Sequence, residues 1–248
     1  MANRLIVDNA VAGYGSVRVL HGVSLEIREN ETVVLLGTNG NGKSTLIRTL
    51  FGLTELTRGS IRLEWNNESI DLSRMATEAI IDLGLILVPE GRRLFSELTV
   101  EENLMLGAFR SGARKVLKRN LDLCYEVFPI VKARRKQRAG SMSGGEQQMV
   151  ALCRALMSDP RILVIDEPSV GLSPLFVKRT MEAIDKLKKE RRLAVLMTEQ
   201  NFKQAIRIAD RGYIIQHGTI VFVAEHVADL DNSDVIRTAY LGLGKVAA

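Results

Sequence analysis

At 248 residues, 46% of them hydrophobic and 25% charged, the chain has the balance of a soluble globular protein and can bury a sizeable core, as one large α/β domain or two small ones. No apolar run approaches the roughly 20 residues needed to span a bilayer, and Asn3, Arg4, Asp8 and Asn9 break up the start where a secretory signal needs an unbroken apolar core. The net charge of +5 suits a polyanionic ligand or an anionic membrane surface, but the basic runs KARRKQR and KLKKERR contain no interleaved aromatics and read as solvated helix faces, so no nucleic-acid partner is expected. A cytosolic location follows, unless a partner holds the chain at a membrane.

In chain order, LIVDNAV and VRVLHGVSLEI are strand-like runs separated by the turn-prone Gly13-Tyr14-Gly15. TVVLLG reads as a buried strand, followed by a glycine-rich loop and a helix from Lys43. SIRLEW is strand-like, MATEAIIDLG helical, and LGLILVP another buried strand. From Thr99 to about Met157 the pattern is nearly all helix, with capping boxes at Thr99-Val-Glu-Glu and Ser143-Gly-Gly-Glu. RILVIDEP restores a buried strand. Ser173-Pro174 opens a helix with proline at its first position, and Val177, Met181 and Ile184 recur on one face. LAVLMT, a helix from about Asn201, the hairpin YIIQHGTIVFV with His217 in its turn, and a short C-terminal helix complete the chain. Cys124 and Cys153 are too few and too far apart for a disulfide framework or a zinc site, and read as small buried or half-buried residues. The three histidines have no metal-ligand spacing. Strands alternating with helices, an all-helical insertion and extra antiparallel strands predict an α/β nucleotide-binding fold with a helical subdomain.

Three motifs carry chemistry. Gly37-Thr38-Asn39-Gly40-Asn41-Gly42-Lys43-Ser44 fits the phosphate-binding loop in full. Its glycines let backbone N–H groups converge on phosphate oxygens, Lys43 reaches the β- and γ-phosphates, Ser44 takes a place on Mg²⁺, and the helix start adds its positive end. Asp166 and Glu167 close a buried strand, where adjacent carboxylates require a cation or a proton-transfer task. Asp166 is the candidate holder of Mg²⁺ and Glu167 the candidate general base. Ser143-Gly144-Gly145-Glu146 leaves backbone amides unshielded at a helix N-terminus, a second anion site best placed for another subunit's nucleotide.

With these motifs in the order phosphate loop, SGGEQQ, ILVIDEP and SVGLSP, the chain resembles, over nearly its whole length, the ATPase subunit of an ABC transporter. The resemblance implies a P-loop NTPase, an ABC-type nucleotide-binding domain with an antiparallel β flank. Residues 1–248 form a single domain, with 1–90 and 158–248 as α/β core and 91–157 as a helical subdomain bearing the signature. It also implies Mg-ATP bound at Tyr14, which matches the aromatic that stacks on adenine, and at Lys43, Ser44 and Thr45. Ser143, Gly144 and Gly145 then act in trans on the nucleotide of a facing subunit.

Two positions depart from the family pattern. Where a histidine usually touches the γ-phosphate stands Gln200, whose amide can donate to a phosphate oxygen and accept from water. Glu199 beside it would repel the phosphate and is expected to be structural. Where the family usually has Gln stands Glu90, a candidate for reaching Mg²⁺ or its waters. VPEGRRLFSELTVEENL, EQN and the ending RTAYLG resemble the branched-chain amino-acid importer branch, more narrowly the shorter of its two ATPases. The urea importer's ATPase is a close alternative. The implied partners are a second, related ATPase, two membrane permease subunits and, indirectly, an external binding protein, with the chain on the cytoplasmic face of the membrane. Arg92, Arg93, Leu94, Phe95 and Leu98 suit either docking to the membrane subunits or partial burial. A soluble ABC-type ATPase acting on DNA or ribosomes fits less well: only 98 positions separate Thr45 from Ser143, with no heptad run and a single cassette.

Overall fold

The strand β3 (Thr32–Leu36) is buried along its whole length, as a strand covered on both faces must be. The computed structural model describes residues 3–230 and places β3 inside a six-stranded sheet. In chain order the elements are β1 (Arg4–Tyr14), β2 (Val17–Arg28), β3, α1 (Lys43–Leu50), β4 (Leu56–Trp65), β5 (Glu68–Asp71), α2 (Thr77–Asp82) and β6 (Leu85–Val88). There follow α3 (Val100–Gly107), α4 (Ser111–Lys115), α5 (Leu117–Val127), α6 (Pro129–Ala133), a 3₁₀ turn at Ala139–Ser141, and α7 (Gly144–Leu156). The chain then returns through β7 (Ile162–Asp166), α8 (Pro174–Arg191), β8 (Ala194–Glu199), α9 (Phe202–Ala205), β9 (Arg211–Gln216), β10 (Thr219–Ala224) and α10 (Val227–Leu230).

The large sheet has the order β10-β9-β3-β8-β7-β6. All its neighbouring strands run parallel except the β9–β10 hairpin. A second, antiparallel sheet, β2-β1-β4-β5, covers one face. The period of two in β3 divides its side chains between two cores. Val33 and Leu35 join α1 (Leu46, Ile47, Leu50) and the antiparallel sheet (Leu5, Leu20, Ile61). Val34 and Leu36 face α7 of the helical stretch, through Met149 and Leu152, and Met181 of α8. Each such fully buried aliphatic side chain contributes about 1.5–3 kcal/mol.

Several expectations shift in detail. The strand read as SIRLEW begins at Leu56, because the polar Thr57-Arg58 still pairs with β1. The strand β5 was not foreseen. Asn66 and Asn67 both take positive φ, 52° and 66°, the geometry of a two-residue hairpin turn, and this folds Glu68–Asp71 back onto β4. The helix from Asn201 is one turn, Phe202–Ala205. Both capping boxes form, at Thr99 and Ser143. Pro174 sits in the first turn of α8, whose Val177, Met181, Ile184 and Leu187 are buried. His217 takes φ 46° in the β9–β10 turn. Cys124 and Cys153 are free and buried, and they meet across α5 and α7, the Cys124 thiol 3.6 Å from the Cys153 carbonyl oxygen. The ending RTAYLG lies outside the described residues.

Helices α3 and α7 approach so closely at Gly107 that an added Cβ would stand 2.0 Å from the Arg154 carbonyl oxygen. Gly107→Ala must therefore push the two helices apart, and we expect a loss of about 1–3 kcal/mol, the usual range for overpacking, read as a lower urea midpoint at unchanged slope.

Candidate functional site

Parallel α/β sheets collect ligand-binding groups at the carboxyl ends of their strands, and here β3, β7 and β8 end side by side. Leu36 pairs with Glu199, and Asp166 with Thr198. Beyond β3 the loop 37–42 turns into α1 through Gly40 and Gly42, with φ 82° and 102°, left-handed values that only glycine adopts without strain. Gly37 lies so close to the β9–β10 hairpin that a Cβ would meet the Ile215 carbonyl oxygen at 2.7 Å. Asn41 braces the loop: its amide donates to Thr38 Oγ1 at 2.8 Å, and its Oδ1 accepts from the His217 N–H at 3.0 Å. Thr38, Asn39, Gly40 and Ser44 are exposed, while Thr45 is buried in α1.

Lys43 is buried. Its ammonium donates to the carbonyls of Gly37 (2.8 Å) and Thr38 (3.2 Å) and pairs with Glu167 Oε1 at 3.1 Å. Glu167 stands in a left-handed conformation, φ 48°, a costly backbone for a non-glycine residue and one that collects at functional sites. Its N–H donates to Thr198 Oγ1 at 3.1 Å, and its second carboxylate oxygen accepts from the Gln200 amide. Asp166 accepts from the Thr198 hydroxyl at 2.6 Å. Burial pushes the Asp166 pKa above the usual carboxylate value, and the neighbouring Glu167 charge adds to this, against the pull of Thr198, Lys43 and Ser44.

Glu199 is fully buried and turned away from this group, accepting from the Ser169 N–H at 3.0 Å and the Ser169 hydroxyl at 2.8 Å. Burial raises its pKa as well. So of the polar pair that ends β8 and begins the next loop, Gln200 reaches Glu167 and Glu199 pins the segment after β7. Tyr14 projects from the end of β1 with its residue 47% exposed. Burial of its hydroxyl would raise the pKa, but Thr54, Thr45 and the charge of Arg48 outweigh this and leave it lowered, which places the phenol over α1. Glu90 is exposed, two residues past β6.

The capped glycines expected to form a second anion site lie apart from the 37–42 loop. Ser143 caps α7, its N–H donating to Glu146 Oε2 at 2.9 Å, and Arg134 pairs with the other Glu146 oxygen at 3.3 Å. Gly145 packs on the Phe176 ring, where a Cβ would stand 2.3 Å away, and Gly144 lies under the Arg92 guanidinium. Among the described residues none of these groups bonds to the 37–45 segment, whereas Lys43, Glu167 and Gln200 form one contact chain.

Sequence reading missed Thr198 and Ser169, which position the carboxylates. The signal for Thr198 was its place as a hydroxyl at the end of an apolar strand. The donor set fits Mg²⁺: an exposed hydroxyl (Ser44) beside a carboxylate (Asp166). The described residues contain no cluster of three His, Cys, Asp or Glu suited to a metal, and Mg²⁺ bound through nucleotide phosphates needs only one or two protein groups.

Comparison with known proteins identifies the family and the fold. The ABC transporter family profile matches residues 20–170. The chain is 44% identical to the high-affinity branched-chain amino acid transport ATP-binding protein BraG of Pseudomonas aeruginosa, over 96% of this chain and 99% of that one. It is 34% identical to a probable branched-chain amino acid transport ATP-binding protein LivF of Archaeoglobus fulgidus, over 85% and 87%. In fold it is similar to the ADP conformation of MJ1267, an ATP-binding cassette of an ABC transporter, with TM-score 0.79 and 23% identity over 96% and 98% of the two chains. Buried Lys43 at the head of α1, the carboxylates at the end of β7 and the capped glycines of α7 thus stand on the fold these cassettes share, and the chain belongs to the ABC transporter family as an ATP-binding, ATP-hydrolysing cassette.

Proposed function

We propose that this chain powers an importer for branched-chain amino acids, and the 44% identity along 96% of its length to a transport ATPase of that specificity carries the reading. It works as one cassette, with residues 91–157 as the helical subdomain and 1–90 and 158–248 as the core. It pairs with a second, related ABC ATPase beneath two membrane permease subunits, which an external binding protein supplies. No described helix is long and apolar enough to cross a membrane, and the cassette sits on the cytoplasmic face through its partners.

In the proposed mechanism the Tyr14 ring stacks on adenine, and the N–H groups of the 37–42 loop and the start of α1 cradle the phosphates. Lys43 leaves its pairing with Glu167 to meet the β- and γ-phosphates. Ser44 and Asp166 are the residues that would hold Mg²⁺, which would supply neutralisation of the phosphate charge, and Glu90, just past the β6 strand that pairs with β7, is the candidate for reaching its waters. Glu167, freed from Lys43, takes a proton from water attacking in line at phosphorus, while Gln200 donates its amide to the γ-phosphate. Ser143, Gly144 and Gly145 of each subunit, with Glu146 holding the cap, close on the nucleotide of the other. The membrane subunits dock on an apolar groove of about 430 Å³ between the sheet and the helices. Leu53, Phe95, Leu106 and Phe109 are exposed along it, and the Arg154 guanidinium lies 5.9 Å from the Phe95 ring centre.

Glu167→Gln is expected to retain ATP binding and to slow hydrolysis by about 100-fold or more, the scale of losing a general base. Unchanged turnover removes Glu167 from that role. Mild-detergent pull-down of the same variant from its own membranes with Mg-ATP should recover polytopic permeases and a second ATPase. Recovery of ribosomes or nucleic acid alone would overturn the importer assignment. Thr198→Val deletes the hydroxyl that favours ionised Asp166 and raises that carboxyl further. More of it is then protonated at a given acidic pH, so the acid limb of kcat/KM for ATP should move to higher pH, with the alkaline plateau less affected. A pH profile that keeps its acid limb would show that Asp166 titration does not govern it.

A further inference from the structure

At the opposite edge of the parallel sheet from Lys43 and Glu167, where the chain enters β7 and β8, lies a polar cavity of about 410 Å³. Four arginines line it: Arg110 and Arg119 from the helical stretch, and Arg161 and Arg191 from the α/β part. Such a concentration of guanidinium groups calls for counter-charge, and little is supplied. Arg119 takes Asp159 Oδ1 at 2.6 Å, and Asn120 reaches the same oxygen at 3.5 Å. Among the described residues Arg191 has only the Asn120 amide oxygen as a hydrogen-bond acceptor, at 3.0 Å. Arg110 donates to the carbonyls of Ser158 and Asp82, its Nε stands 3.6 Å from the Asp82 carboxylate, and that Nε has no hydrogen-bond partner. Arg161 and Arg191 pair with no carboxylate among the described residues. Within the lining four guanidiniums face one carboxylate, Asp159, while Asp82 and Glu190 act from outside it.

The repulsions run across the junction between the two parts of the molecule. Burial holds the Arg110 pKa below its ordinary value against the pull of Asp82 and Asp159, and the smaller repulsion from Arg161 adds to it. Burial and then the Arg119 charge do the same for Arg191. Each pair joins one arginine of the helical stretch to one of the α/β part. A compact dianion seated among them would remove both repulsions and tie the two parts together. Tetrahedral phosphate oxygens match several guanidinium forks at once, and the volume of this half-open cleft is that of a small-ligand site. We propose that this cavity binds a small phosphate-bearing ligand and thereby fixes the helical stretch against the sheet.

The test uses the full chain carrying Lys43→Ala, so that the phosphate loop no longer competes, titrated with inorganic pyrophosphate at constant ionic strength in a calorimeter. One saturable equivalent is expected. The melting temperature should rise by roughly 5 °C or more at a hundredfold excess over Kd, and hydrogen exchange should slow in α5 and at the end of α8. Adding Arg161→Gln and Arg191→Gln should weaken binding at least about tenfold, as removing charge-assisted hydrogen bonds does. Arg161 is exposed and bears no ion pair among the described residues, so Arg161→Gln alone serves if the fuller variant fails to fold. Absence of saturable binding, or equal affinity in the glutamine variants, overturns the site. Binding without slowed exchange overturns its role in fixing the two parts. Displacement of pyrophosphate by phosphatidylglycerol vesicles would identify the natural ligand as a headgroup, and binding unaffected by vesicles would identify it as a soluble phosphate compound.

Discussion

The rest of the site depends on one buried ion pair, Lys43 with Glu167, 3.1 Å apart and with 3% and 5% of their side chains exposed. Taking an ammonium and a carboxylate out of water costs several kcal/mol each unless geometry and hydrogen bonds offset it. Here the ammonium has two carbonyl acceptors besides the carboxylate, and the carboxylate has the Gln200 amide on its other oxygen. Neither charge is left uncompensated. In the proposed mechanism, a phosphate enters by offering Lys43 something as good and so releases one oxygen of Glu167. Substrate binding would thus be coupled to the freeing of a base through a single contact.

That contact needs a frame that does not yield. The carboxyl ends of β3, β7 and β8 supply it, because parallel strands buried on both faces must deliver their first polar residues to a common edge. Thr198 does the fine positioning, donating to Asp166 and accepting from the Glu167 N–H, so that one hydroxyl fixes two adjacent carboxylates. Glu199 performs a similar task for the segment after β7 through Ser169. A buried carboxylate with its pKa raised is an expensive brace, and it is tolerated because two donors meet it.

The helical stretch is attached to this frame by packing of a different quality. Across the core, α7 contributes Met149, Leu152 and Cys153 to an apolar contact with the sheet. At the other end of the strands two arginines of each part meet, and Arg119–Asp159 and Arg110–Asp82 pair across the same junction. Left-handed backbone concentrates where the chain leaves β6: Gly91, Arg92 and Arg93 take φ of 75°, 66° and 47° in succession, and Arg154 of α7 holds the Arg92 and Arg93 carbonyls at 3.1 and 2.8 Å. The loop that leaves β6 beside Glu90 is thereby fastened to the same helix whose N-terminus carries the capped glycines.

How much of this was legible beforehand depends on the range of the interaction. Local chemistry was readable: glycines that permit a tight loop, a Ser or Thr followed three residues later by Glu, a proline opening α8, apolar runs that end in Asp166-Glu167 and in Glu199-Gln200. These follow from the steric and hydrogen-bonding needs of a few neighbouring residues. Contacts between distant segments were not, because sequence does not say which strand lies beside which. Lys43 lies 124 positions from Glu167 and Gln200 lies 33 from it, yet they form one chain of contacts. The same holds for Thr198 on Asp166, for Cys124 beside Cys153, and for the four arginines drawn from α4–α5, the entry to β7 and the end of α8. The strand β5 escaped notice because ESID has too few apolar residues to announce itself and is held by its pairing with β4. The sequence by itself determined the element types, the phosphate loop and the polar residues at strand ends, since these are dictated by backbone sterics and burial period. Only the tertiary structure decided that Gln200 and not Glu199 meets Glu167, because that choice depends on which way β8 releases its chain and on the Ser169 donors waiting for the other side chain.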